Sequence, residues 1–198
     1  MIGRYHILKR MAVVVVLILY LSSNCFLLSS CSKRYSSSDE EDYKVYLSEV
    51  SKAELFMPKL EELGAYESIF VARRTHNDIF IDTTESISLI VQYDKENFDL
   101  AVNSINNNYE FISSESDVEG YKDFEAEIAN YYFRVDSNSL AIISNYYYSG
   151  KQEKDLIRSL FVGINNAENK IAYLYYWDIE IHEMGDLDEF IEKKFVLE

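Results

Sequence analysis

The amino-acid sequence predicts an α+β domain in which an antiparallel sheet carries amphipathic helices packed on one face. Two observations carry this prediction. Runs rich in β-branched and aromatic residues, several of them alternating with polar residues, occupy much of the chain after residue 66. In addition, a hairpin pattern is followed by an amphipathic helix twice, over 66–106 and over 156–196. No residue-level repeat relates the two segments, so the pattern indicates architecture and not duplication.

The folded domain is predicted to begin near Tyr43 with two short helices. Ser51 and Glu54 fit a capping box, in which each side chain bonds the backbone of the other residue. Pro58, the letters KLEEL and Gly64 then follow the rule of proline at a helix start and glycine after its end.

The first hairpin is predicted from strands at 66–74 and 79–93, with a turn at 76–78. Asp94 then has the position and chemistry of a helix N-cap. The apolar residues that follow fall on one face at helical spacing. They are Phe98, Ala101, Val102 and Ile105.

The second half of the domain continues with predicted strands at 124–133 and 140–148. A hairpin joins strands at 156–164 and 170–179 through the turn letters NNAEN. Asp186 is predicted to cap the last helix. The buried stripe of this helix is formed by Leu187, Phe190, Ile191 and Phe195.

The first thirty residues follow a targeting pattern and are set apart from the fold. Arg4, Lys9 and Arg10 give a basic start without any acid, and an eleven-residue apolar run, MAVVVVLILYL, follows at 11–21. This run has the length of a signal-peptide core and is shorter than the roughly 20 residues that span a bilayer.

The end of this leader, Leu28, Ser29, Ser30 and Cys31, resembles the lipobox of bacterial lipoproteins. The resemblance covers the leader alone. It implies that the signal peptide 1–30 is removed, that a diacylglyceryl group is attached to the Cys31 sulfur, and that the new N-terminus is acylated. The protein would then be extracytoplasmic and anchored to the cell membrane or outer membrane by lipid. The alternatives are an uncleaved helix over 11–28 and an ordinary secretory signal.

Residues 31–42 are predicted to be the lipidated cysteine and a flexible tether, since SKRYSSSDEED is serine-rich, then acidic, with little to bury. A single α+β domain is predicted over 43–198. Cys25 lies in the removed leader and Cys31 would carry lipid, so the mature chain would have no internal disulfide.

The charge of the chain restricts its partners. Residues 1–30 hold three of the 19 basic residues and no acid, so the remainder carries 16 Lys plus Arg against 34 Asp plus Glu, a net charge of −18. This excess argues against nucleic acid and against electrostatic adhesion to anionic lipid. It favours encounter with a basic partner, although acidic surfaces also serve solubility alone.

Motifs for catalysis or metal binding are missing from the sequence. The histidines outside the leader are His76, in a predicted turn, and His182. His182 with Glu183, Asp186 and Asp188 lacks the spacing of a zinc helix or a calcium loop. No nucleophile elbow, phosphate-binding loop or dinucleotide fingerprint is present among only six glycines. We therefore expect no cofactor, no metal and no catalytic residue.

Tyrosine-rich strands provide the candidate binding surface. Tyr and Trp give large contact area at low entropic cost, and alternation along a strand would place some of the rings on an outer face. The alternative is that these rings form strands covered by helices. The candidate residues are Tyr146, Tyr147, Tyr148, Tyr173, Tyr175, Tyr176 and Trp177.

Together these features predict a membrane-anchored, extracytoplasmic lipoprotein that acts by binding and has no catalytic activity. A sharper form of this prediction is an inhibitor or immunity-type module that captures a basic envelope protein, such as a lysozyme-type hydrolase. The alternative is a small cell-envelope hydrolase that uses His76 or scattered carboxylates.

Overall fold

An eight-stranded antiparallel sheet organises the computed structural model, which describes residues 31–50, 52–77, 83–112, 125–143, 146–148, 151–153, 156–178 and 186–197. Seven strands run in the order β1-β2-β3-β10-β9-β5-β4, and β6 pairs with β9. The two remaining strands form a separate ribbon. The strands are β1 Cys31–Ser37, β2 Ser68–Asn77, β3 Thr83–Gln92, β4 Glu125–Ile128, β5 Tyr131–Val135, β6 Ala141–Ile143, β7 Tyr146–Tyr148, β8 Lys151–Glu153, β9 Leu156–Asn165 and β10 Lys170–Asp178.

The described helices are few and short. They are α1 Glu40–Glu49, α2 Lys95–Asn108 and α3 Leu187–Lys194, with 3₁₀ turns at Ala53–Leu55 and Leu60–Glu62. A sheet of antiparallel strands accompanied by separate helices confirms the predicted α+β class.

The helices cover both faces of the sheet, whereas one covered face was predicted. On one face α1, α2 and the 3₁₀ turns enclose a cluster that includes Leu89. On the other, α3 packs over a cluster that includes Leu174. The reason lies in the central strands: β10 is buried at six consecutive positions, 171–176, which requires cover on both sides.

The residues predicted to form a tether belong to the fold. β1 begins at Cys31 and pairs antiparallel along its own whole length with residues 71–77 of β2, and Asp39 caps α1 by accepting a bond from the amide of Glu41 at 2.9 Å. An edge strand is held by backbone hydrogen bonds to one neighbouring strand and can form with few apolar residues. The acidic run at 40–42 fills the first turn of α1, where negative charge favours a helix.

A second correction concerns the strand predicted over 124–133, which is a hairpin of β4 and β5. Ala129 and Asn130 form its two-residue turn with φ of 50° and 66°. Two successive residues with positive φ are typical of the tight turns that match strand twist. Alanine rarely adopts this conformation, so Ala129 is not a residue from which a turn is predicted.

The two predicted helix caps have different outcomes. Asp94 caps α2 as predicted, and its carboxylate accepts from the amide of Asn97 at 2.9 Å, which lowers the pKa of Asp94. Asp186 occupies the N-cap position of α3 but makes no side-chain cap bond. The NNAEN hairpin of β9 and β10 is present as predicted.

Gly163 in β9 allows close packing of the strand beside it. A Cβ atom there would lie 2.7 Å from Cζ of Phe133 and still closer to two other atoms of that ring. Phe133 is fully buried, so its ring has no space into which to move. We expect Gly163→Ala to lower the free energy of unfolding by about 1–3 kcal/mol, as overpacked cores do.

Denaturant unfolding of Gly163→Ala, alone and with Phe133→Leu, measures this effect. The alanine should cost less when the ring is absent. An unchanged unfolding midpoint in the single variant would contradict the packing described here.

Candidate functional site

The sheet has two ends that differ in chemistry. Cys31 pairs with Asn77, which in turn pairs with Thr83, so these residues share one end, here the Cys31 end. At the opposite end Gln92 pairs with Ser68 and Lys170. β3 connects the two in nine residue steps of about 3.3 Å, a distance of about 30 Å.

A groove of about 480 Å³ lies near the end opposite Cys31. One wall is the segment 58–65 and the other is α2, while aromatic rings from β10 and the ends of α2 form the floor. It is lined by Pro58, Glu62, Leu63, Gly64, Ala65, Tyr93, Asn97, Leu100, Ala101, Ser104, Ile105, Asn108, Tyr109 and Tyr173.

The first wall is held by tyrosine hydroxyls that satisfy its backbone. The Tyr43 hydroxyl donates to the Pro58 carbonyl at 2.6 Å, and the Tyr93 hydroxyl donates to the Leu63 carbonyl at 3.2 Å. Gly64 follows with φ of +74°, which glycine adopts without strain. The wall is thereby fixed to the core at two points.

The second wall is the partly exposed side of α2. Phe98 and Ile105 are buried beneath the helix and attach it to the sheet. Leu100 lines the groove and is 62% exposed, whereas the other exposed residues of this helix are polar. This wall therefore presents apolar surface together with the amides of Asn97 and Asn108.

The floor consists of Tyr93, Tyr109 and Tyr173. The rings of Tyr109 and Tyr173 are in contact, with centroids 6.3 Å apart. Burial raises the pKa of all three hydroxyls above the usual tyrosine value. They therefore remain neutral, and the floor is uncharged. Tyr93 and Tyr173 are buried, so Tyr109 is the partly exposed ring of the three.

The charges beside the groove are mainly acidic. The walls and the adjoining residues, 58–66 and 94–109, contain five carboxylates and two lysines. Lys95 is already paired with Asp99 at 2.6 Å. Glu62 lines the groove, and its charge is among the causes that raise the pKa of Tyr109. The carboxylates are Glu61, Glu62, Asp94, Glu96 and Asp99.

The predicted tyrosine surface is largely a core. Tyr175 and Tyr176 are fully buried, so of the two interpretations of these strands it is the helix-covered one that describes these two residues. Trp177 is half-buried beside them. Tyr173 is buried as well, and it lies beneath the groove as part of the floor. The backbone at 146–148 forms β7, but the side chains of Tyr146, Tyr147 and Tyr148 lie outside the described residues.

The remaining residues considered for chemistry do not meet at the groove. His76 lies in β2 opposite Ser32, at the Cys31 end, and His182 lies outside the described residues. Cys31 is the first residue of β1, and its side chain is not described. Within the described part of the chain, no three His, Cys, Asp or Glu residues are grouped as metal ligands. None of the described helices has the length and apolarity that a membrane span requires.

Tyr93 and Tyr109 are groove residues that the sequence did not reveal. Both lie next to helix ends, at positions 93 and 109 on either side of α2, and each resembles an ordinary core aromatic in the sequence. Both residues lie at the groove because β3 pairs antiparallel with β10 and because α2 packs on these two strands.

Comparison with known proteins gives no relative for this chain. No protein-family model matches the sequence, and neither the curated proteins nor the solved structures contain a match.

Proposed function

We propose that this chain is a lipid-anchored, extracytoplasmic binding module without catalytic activity. In this proposal Cys31 carries the lipid, and the groove binds a basic, partly apolar segment of another cell-envelope protein. An inhibitor or immunity-type role, in which the segment belongs to a basic hydrolase, is the form of this function that we favour.

The observation that carries the proposal is the placement of the groove. It lies toward the end of the sheet that is about 30 Å from Cys31, the residue at which the lipobox-like leader ends. A lipid on Cys31 would hold the Cys31 end of the sheet, and not the groove end, at the membrane. The groove would then face the aqueous compartment, where a protein partner is accessible.

The chemistry of the groove supports a basic partner. Exposed Leu100 and the partly exposed ring of Tyr109 suit an apolar side chain, since aromatic rings provide contact area at low entropic cost. The surrounding five carboxylates and the net charge of −18 after residue 30 attract cationic segments and increase association rates. A segment with Lys or Arg beside an apolar residue matches both properties.

The hydrolase alternative has less support. Among the described residues that line the groove, Glu62 is the one carboxylate and no histidine is present. General acid–base hydrolysis needs two positioned groups of this kind. The groove therefore favours binding over catalysis.

Selection of peptides from a random displayed library against the full chain tests this function. We expect enrichment of sequences that combine Lys or Arg with Leu, Ile, Phe or Trp, and weaker binding as salt is added. Enrichment of acidic sequences, or binding that is unaffected by salt, would contradict the proposal.

A further inference from the structure

The Cys31 end of the sheet carries a basic surface on an otherwise acidic protein. Arg34 in β1 and Arg74 in β2 are direct cross-strand partners, so their side chains share one face of the sheet. Like charges directly opposite each other destabilise a strand pair. Burial and the charge of Arg34 both lower the pKa of Arg74.

The end of α3 adds two more basic residues to this face. The Arg74 guanidinium donates to the carbonyl of Lys193, and the Ser86 hydroxyl donates to the carbonyl of Lys194 at 2.8 Å. These bonds hold the C-terminal turn of α3 against the two arginines. We name Arg34, Arg74, Lys193 and Lys194 the basic face.

Three of the four residues of the basic face have no ion pair with a described carboxylate. The described residues provide no ion pair for Arg34, Arg74 or Lys193, whereas Arg73, on the opposite face, bonds both Glu49 and Glu85. The carboxylate whose charge acts on Lys194 is that of Asp178, which is buried and accepts from the Tyr176 and Thr84 hydroxyls at 2.6 and 2.9 Å.

The basic face is also close to the proposed site of lipid attachment. Because β1 begins at Cys31, no flexible segment separates that residue from the sheet. Arg34 is three residues further along the strand, about 10 Å away. A lipid on Cys31 would therefore bring Arg34 and its neighbours to the headgroup region of the bilayer.

We propose that the basic face binds the phosphate headgroups of anionic phospholipids in the membrane that holds Cys31, and so fixes the orientation of the domain. This inference rests on the proposed lipid anchor. It reverses, for this one surface, the expectation from net charge that the protein avoids anionic lipid. The negative potential of the anionic membrane surface would also repel the acidic region around the groove.

Site-specific quenching tests which face contacts the membrane. The lipidated full chain is reconstituted into vesicles of phosphatidylcholine, with or without phosphatidylglycerol, and a headgroup spin-labelled lipid is the quencher. A fluorophore is attached to a cysteine at Ser36→Cys, on the face of Arg34, or at Ser48→Cys, on exposed α1. We expect phosphatidylglycerol to increase quenching at position 36 and not at position 48.

Charge variants give the matched comparison. Arg34→Gln and Lys193→Gln should each lower the ratio of docked to undocked protein about fivefold, the factor that corresponds to about 1 kcal/mol for each basic residue near an anionic surface. Lys59→Gln and Lys95→Gln remove the same charge near the groove and should leave quenching unchanged.

Vesicle flotation separates the two proposals. Suppose that the chain floats with both vesicle types but shows equal quenching in both, or that Arg34→Gln and Lys193→Gln have no effect. Either result would overturn only the inference that the basic face orients the domain, and not the lipid anchor. A chain that does not float with either vesicle type would overturn the lipid anchor and this inference together.

Discussion

In a chain whose leader has been removed, alanine in place of Cys31 is expected to transfer the protein completely from the membrane fraction to the soluble fraction of the cell. The attached acyl chains supply about 0.8 kcal/mol for each buried methylene, and two or more chains retain a protein durably. Four basic residues on the basic face cannot replace that contribution. Cell fractionation followed by detection of the chain measures the change.

Cys25 gives the control for this experiment. It lies six residues before Cys31 in the leader, so Cys25→Ala should leave the protein in the membrane fraction. Retention of the Cys31→Ala variant in the membrane, or release by Cys25→Ala, would show that the anchor is elsewhere.

Leu100→Lys is expected to weaken binding of the selected basic peptides about 30-fold. The substitution removes an apolar contact from the wall of the groove and places a positive charge where a cationic segment is expected to bind. Central interface residues contribute about 2 kcal/mol or more, which corresponds to this factor. Titration calorimetry at low salt measures the dissociation constant.

Leu55→Lys is the matched control, since Leu55 is 66% exposed, close to the 62% of Leu100, but is not part of the groove lining. The control makes the same change of charge and should alter affinity little. Equal weakening by both variants would indicate a general charge effect and would contradict binding in the groove.

The predictable parts of the fold are those with strong local signals. α2 was predicted from Asp94 and the helical spacing of Phe98 and Ile105, and both features recur in the structure as a cap and a buried stripe. The β9–β10 hairpin was predicted from its apolar strands and its asparagine-rich turn. In each case the information lies within about 20 residues of sequence.

The parts that were missed depend on contacts between distant segments. β1 is polar and is stabilised by pairing with β2, about 40 residues later in the chain, so its sequence resembles a linker. Burial of Tyr175 and Tyr176 likewise depends on the segments that cover the two faces of the sheet, one face for each residue. The groove combines residues from 58 to 173, a juxtaposition that no local pattern describes.

The mass of the N-terminal peptide of the mature protein tests the central claim, attachment of the domain to a membrane through Cys31, most directly. The chain is produced in a bacterial cell, purified from the membrane fraction and digested before mass spectrometry. We predict a first peptide that begins at Cys31 and carries the added mass of a diacylglyceryl group. A first peptide that begins at any other residue, or an unmodified Cys31, would contradict the account.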